Sequence, residues 1–182
     1  VENDPAIRCR LCGGLLEVRH RAPNLAREEL LRKFTERRGG PPGAASTSGV
    51  WRFREMVMPG AELIVSHPEG NTPLMHRTAI DEYTGVPQLM LKHEGHNPTG
   101  SFKDRGMTVG VTQAVRIGAR AVACASTGNT AASLAAYAAQ ARLPALVLVP
   151  AGAIAAGKLG QALAYGAQTL LVRGDFDDCM RL

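Results

Sequence analysis

The sequence predicts an α/β protein built on a parallel sheet, preceded by a small cysteine-containing module. Three observations carry this. Short apolar runs at 121–125, 145–149 and 169–172 alternate with helical patterns between 101 and 165. Val122, Leu146 and Leu170 stand at equivalent points of these runs, 24 residues apart. Alternation on so short a period implies parallel strands joined by crossover helices, with the sheet covered on both faces as a three-layer sandwich. Near the start, Cys9 and Cys12 frame a turn completed by Gly13 and Gly14, and a Gly/Pro/Ser-rich stretch at 39–49 separates this region from the rest.

In chain order, residues 9–13 form a knuckle-like turn and 15–18 a short strand candidate. Asn24 can cap an amphipathic helix over 26–38, whose Leu30, Leu31 and Phe34 make one apolar stripe among charges. The expected division is a zinc-knuckle-like segment over 1–22, a helix and linker over 23–50, and an enzyme-like domain over 51–182. Residues 89–92 are a strand candidate. A helix is expected over 101–117, where Ser101 and Asp104 have capping-box spacing and Met107, Val111, Ala114 and Val115 share a face. Further helices are expected over the Ala-rich stretch 130–141 and over 155–165, and a last one begins at Asp175. It stops within about two turns. With Val rather than Met at position 1, the chain reads as truncated at its C-terminus, a piece of a longer protein.

Composition narrows the function classes. The 182 residues are 45% hydrophobic and 20% charged, as expected of a soluble globular protein, and the longest apolar run falls far short of a bilayer. The net charge of +5 sits mainly before Pro59, where eleven Lys/Arg face seven Asp/Glu. A solvated Arg-rich face explains it better than nucleic-acid binding, because aromatics for base stacking make up only 4%. Cys9, Cys12, Cys124 and Cys179 are too few for a disulfide framework in this length, and Cys124 falls in an apolar strand pattern as a small core residue. A reducing, cytoplasmic setting with neither nucleic-acid nor membrane partner is expected.

Two loops at carboxyl ends of strands carry the chemistry, since open parallel sheets bind ligands there. The first, HEGHNPTGSFKDRG (93–106), ends in a helix start. Lys103 then lies in the first helical turn, where the dipole disfavours a cation; a lysine that must react as a neutral amine can exploit this, whereas a surface lysine paired with Asp104 cannot. The second, STGNT (126–130), joins a strand to a helix and offers hydroxyls, a glycine and free amides suited to a carboxylate or phosphate. A plain helix cap by Asn129 or Thr130 is the competing reading.

Taken together, HEGHNPTGSFKDRGMTVGV and ACASTGNTAASLAAYAA resemble the matching segments of threonine synthases, members of the pyridoxal phosphate (PLP) enzymes of fold type II that include cysteine synthases, tryptophan synthase β chains and serine/threonine dehydratases. SGVWRFREM, EGNTPL and the stretch 150–179 extend the resemblance from Ser48 to the end. The resemblance implies that Lys103 holds PLP as a Schiff base and then serves as general acid/base. It implies that Phe102 and Asp104 orient that lysine, and that Asn129 bonds the phenolic oxygen of the ring. Ser126, Thr127, Gly128 and Thr130 would hold the substrate's carboxylate or phosphate. The implied reaction turns O-phospho-L-homoserine and water into L-threonine and phosphate, by γ-elimination and β-addition; a homodimer is left open. A Gly-rich loop for the PLP phosphate and a hydroxyl facing the pyridine nitrogen have no obvious counterpart before Leu182, so the fragment alone is expected to be inactive.

Other signals rank lower. GAIAAGK (152–158) mimics a nucleotide loop, but Leu159 stands where a Ser or Thr must ligate magnesium, so Lys158 reads as a helix-surface residue with an anion contact as the lesser option. His93, Glu94 and His96 have the wrong spacing for a helical zinc site and read as structural. Cys9 and Cys12 read as half of a zinc knuckle; His20 is a weak third ligand, a second pair upstream of Val1 is the family-like alternative, and a vestigial or free pair is the competing reading. A PLP-dependent dehydratase or other replacement enzyme is the competing enzyme reading. A zinc-ribbon binding module with a degenerate enzyme-like body is the competing reading outside that class.

Overall fold

The computed structural model describes residues 6, 8–19, 21–152 and 156–182. Residues 153–155 and His20, the weak third zinc ligand, lie outside them.

The elements run as α1 (Arg27–Arg38), α2 (Arg54–Val57), β1 (Leu74–His76), α3 (Thr78–Thr84), β2 (Met90–Lys92), α4 (Lys103–Arg116), β3 (Val122–Ala125), α5 (Asn129–Ala141), β4 (Ala145–Pro150), α6 (Ala156–Ala164), β5 (Gln168–Val172) and α7 (Phe176–Arg181), with 3₁₀ turns at Ala45–Thr47, Trp51–Phe53 and Glu94–His96. The expected parallel sheet is present as β3-β4-β5. Two details differ. The strand at β2 does not join it but pairs antiparallel with β1, because α3 returns the chain beside β1. The register is also offset from the 24-residue spacing: Leu146 lies opposite Ala123 and Gln168, since the loops around β4 differ in length.

Burial follows the pairing. Central β4 is buried almost throughout, while the edge strand β5 leaves Leu170 and Leu171 exposed. Between sheet and α4 lies α5, in which every residue from Ala131 to Ala138 is buried. Alanine makes this possible, combining the strongest helix propensity with a side chain short enough for close approach on all sides. One side of α5 meets Val147, Val149 and Ala162 from β4 and α6. The other meets Val111 of α4 and Val65. Cys124 is half-buried against both clusters, and burial lifts its thiol to about 11.

Residues 48–72 form a strap over α4 and α5. Trp51, fully buried, donates from Nε1 to Thr108 Oγ1 at 2.6 Å; Thr108 donates to the Val65 carbonyl at 2.7 Å, and the Val65 amide to Thr112 Oγ1 at 3.0 Å. The buried Glu69 carboxylate accepts from Ser48 Oγ, Ser66 Oγ, the His67 amide and, at 2.8 Å, Tyr137 Oη of α5. Where the strap crosses itself only glycine fits, because a Cβ at Gly49 would stand 2.1 Å from the Asn71 amide nitrogen.

At the N-terminus the knuckle turn closes as expected, with the Cys9 amide donating to Gly14 O and the Gly13 amide to Cys9 O. The strand expected over 15–18 reduces to a single bridge between Arg8 and Leu15, since Leu15, Leu16 and Val18 find nothing to pack on and stay exposed. Helix α1 is capped by Ala26 without a side-chain bond, not by Asn24, and buries no residue fully; it packs through Phe34, edge-on to Phe53 at 4.8 Å, and through the Arg37–Glu55 ion pair. No helix of the described residues is long and apolar enough to cross a membrane.

Candidate active site

The segment before Lys103 is held by two polar clusters. In the first, Glu94 accepts from Arg105 Nε at 2.7 Å and Nη2 at 2.9 Å, from Thr72 Oγ1 at 2.7 Å and from Asn97 Nδ2 at 3.0 Å. These bonds, Arg105 foremost, hold its carboxyl down to about 2. Asn97 also accepts the Gly70 amide at 2.9 Å, so EGNTPL and HEGHNPTG fold onto each other. His93 and His96 stack edge-on at 4.6 Å, and no group of three or more His, Cys, Asp or Glu able to hold a metal ion occurs among the described residues.

The second cluster surrounds Asp104. Helix α4 begins at Lys103 with Phe102 as N-cap and no side-chain cap. The expected capping box between Ser101 and Asp104 is therefore not formed. Asp104 is fully buried and takes the Thr99 amide at 2.8 Å, Thr99 Oγ1 at 2.6 Å and Ser133 Oγ of α5 at 2.5 Å. A carboxylate out of water needs several donors at once, which a single local cap does not supply. Asp104 consequently faces away from Lys103, and the surface pair between them does not exist. Lys103 is half-buried, its Nζ 4.8 Å from the centroid of the exposed Phe102 ring.

Ser126–Thr130 follows β3. The Ser126 amide continues the ladder to Leu148 O, and Ser126 Oγ accepts the Gly128 amide at 3.2 Å. Gly128, not Asn129 or Thr130, is the N-cap of α5, without a side-chain bond, so the first amides of α5 have no side-chain cap. Nothing stands within 4 Å of where a Gly128 Cβ would be. Asn129 is exposed, and Ser126, Thr127, Gly128 and Thr130 are half-buried. The Asp104–Ser133 bond joins the starts of α4 and α5: Lys103 is next to one partner, and Asn129 precedes the other by four residues, about one helical turn. The helices that these two loops open are thus tied together near their starts.

The sequence reading missed Thr99 and Ser133, for which no local signal exists. It also placed Lys158 on a helix surface. Lys158 is instead half-buried and donates to the Thr99 carbonyl at 3.2 Å, because α6 packs against α5 beside that loop. Cys9 and Cys12 lie far along the chain from these loops; amides of Cys12 and Leu11 and the Cys12 thiol lower the Cys9 thiol.

Residues 65–182 match the family described as pyridoxal-phosphate dependent enzymes. The chain belongs to this family. Among curated relatives, threonine synthase of Methanosarcina acetivorans is 45% identical over 174 residues, 96% of this chain and 40% of that protein. Threonine synthase of Mycobacterium tuberculosis is 57% identical over 114 residues, 63% of this chain and 31% of that protein. The chain thus spans less than half the length of these relatives. Among solved structures, a hydrogen sulfide-producing enzyme from Fusobacterium nucleatum superposes with a TM-score of 0.55 and 28% identity, over 62% of this chain and 38% of that one. A threonine deaminase from Solanum lycopersicum, 18% identical, shares the fold at a TM-score of 0.52 over 89% of this chain and 40% of that one.

The residues present fit PLP. Lys103 has no ion pair with its acidic neighbour, because Asp104 is committed to Thr99 and Ser133. The uncapped start of α5, with the open approach at Gly128, suits an anionic partner.

Proposed function

We propose that the protein is a threonine synthase, converting O-phospho-L-homoserine and water to L-threonine and phosphate. The observation that carries the reading is the Asp104–Ser133 bond, which ties the helix that begins at Lys103 to the one that begins at Asn129. The relatives named threonine synthase support it further, because the first of them matches almost the whole of this chain. Bound PLP withdraws electrons from the substrate's Cα and so makes its proton removable. In this reading Lys103 holds the cofactor, takes the Cα proton, and returns protons as phosphate leaves Cγ and water adds at Cβ. Asn129 orients the ring through its phenolic oxygen, and Phe102 steers the Lys103 amine. Ser126, Thr127, Gly128 and Thr130 bind the carboxylate or phosphate through hydroxyls and amides.

The substrate is tested in the full-length protein by steady-state assays with phosphohomoserine, serine and threonine. Phosphate release is expected to outrun ketoacid formation from either hydroxy amino acid; the reverse ranking makes the protein a dehydratase.

We also assign structural zinc to Cys9 and Cys12 in a knuckle-like module over residues 1–22, with a helix and linker over 23–50 and the enzyme domain over 51–182. The tight turn and the lowered Cys9 thiol support it, since a metal ligand must be a thiolate. Metal analysis of the full-length protein should show zinc that a Cys9→Ser/Cys12→Ser variant lacks; equal zinc in both removes the site. The cysteines are all free thiols, in keeping with a cytoplasmic location.

A further inference from the structure

The Thr99 carbonyl receives two donors from α6: Lys158 Nζ at 3.2 Å and Gln161 Nε2 at 3.4 Å. Lys158 Nζ also touches Gln161 Oε1 at 3.4 Å, which ties the two side chains into one clamp. The same residue, Thr99, gives its amide and hydroxyl to Asp104, and Asp104 is bonded in turn to Ser133 of α5. Lys103 lies inside this arrangement, four residues after Thr99 and one before Asp104.

The turn between them carries few constraints of its own. Gly100 has φ +83°, a conformation that glycine alone adopts without strain. The amide of Gly100 donates to Asn97 O at 2.8 Å, and that of Lys103 makes only a long bond of 3.4 Å to Ser101 Oγ. Thr99 is almost fully buried at 3% exposure, so its carbonyl oxygen needs donors from within the protein, and α6 supplies them. A lysine ammonium on a neutral carbonyl is a stronger contact than packing requires, and it points at the backbone that sets where α4 begins.

We propose that Lys158 and Gln161 are positioning residues for Lys103: by holding the Thr99 carbonyl they fix the turn whose far end carries the reactive lysine. This rests on the reading of Lys103 as the reactive lysine, not on the identity of the substrate. Both act through the Thr99 carbonyl. Their removal loosens the 99–102 turn and spreads the Lys103 amine over orientations that do not react.

The test measures the labelling rate of Lys103 by an acylating reagent in the full-length apoprotein, by peptide mass spectrometry. It is read alongside kcat, KM and the visible absorbance of the cofactor-bound protein, for Lys158→Met, Gln161→Leu, the double variant and Lys158→Arg. The double variant is expected to change Lys103 labelling and to lower kcat by about tenfold, the scale of one to two lost hydrogen bonds, with KM shifted less than about threefold. Lys158→Arg keeps a donor at the carbonyl and should restore most of the effect. Thermal unfolding checks that the fold persists; if the double variant does not fold, Gln161→Leu alone carries the test. Unchanged labelling and kcat in a folded variant overturn the proposal, as does failure of Lys158→Arg to rescue while Lys158→Met is impaired. Labelling is read without turnover, so a wrong substrate leaves this result standing.

Discussion

Lys103 and Asn129 sit at the first positions of two helices that meet through a third residue pair, and this separates their effects from stability. Lys103 is half-buried with no acid paired to its amine among the described residues, and Asn129 is exposed without a capping role. Lys103→Ala is expected to abolish both turnover and the visible absorbance of bound cofactor in the full-length protein. Asn129→Ala should slow the reaction while retaining absorbance, and neither should move the thermal midpoint by more than a surface substitution does, about 0.5 kcal/mol. Glu94 behaves differently. Its carboxyl is depressed from 4.5 to about 2, chiefly by Arg105, so the stability it contributes is fully present above its ordinary value and lost as pH falls through about 2. Glu94→Gln should therefore destabilise the protein at neutral pH, and the gap to wild type should close between about pH 4.5 and 2 in acid unfolding followed by circular dichroism.

Among the elements, α5 decides how closely the others approach. Ala135 is 1% exposed and faces Val147 and Ala162 across the helix–sheet contact. Ala135→Leu inserts atoms into a buried cluster and should cost about 1–3 kcal/mol in denaturant unfolding, with loss of catalytic efficiency because the Ser133–Asp104 bond lies half a turn away. A stabilised or unaffected variant would show that α5 has slack against the sheet. Helices α1, α4, α5 and α6 and the parallel strands were legible because each carries its own period, and their observed ends fall within two residues of those expected, whereas the short α2 and α3 were not read. Element partners were not. The β2 pattern reads like the first strand of the parallel series, yet three residues carry no information on the strand they join, and β1 offered a neighbour. The caps also went elsewhere: Asn24, Ser101, Asn129 and Thr130 are all good capping residues, and none caps its helix by a side-chain bond.

For the whole molecule, the strap over residues 48–72 ties the N-terminal helix to the site-bearing helices. Trp51 is its anchor, fully buried and bonded to Thr108 on α4. Trp51→Ala should cost about 3–5 kcal/mol through the cavity it leaves, measured by urea unfolding, and should loosen the 65–72 segment that supports Glu94 and Asn97. A small cost would mean that the strap collapses onto α4 without it. The sequence by itself determined the α/β class, the helix–strand alternation and the family, because these depend on period and on motifs contiguous in the chain. Only the tertiary structure decided that Asp104 turns inward to Thr99 and Ser133, that Glu69 and Tyr137 pair beneath the strap, and that Lys158 of α6 reaches the loop before Lys103. Those partners lie 5 to 68 residues apart, and a buried polar group takes whichever donors packing brings to it, which no local pattern encodes.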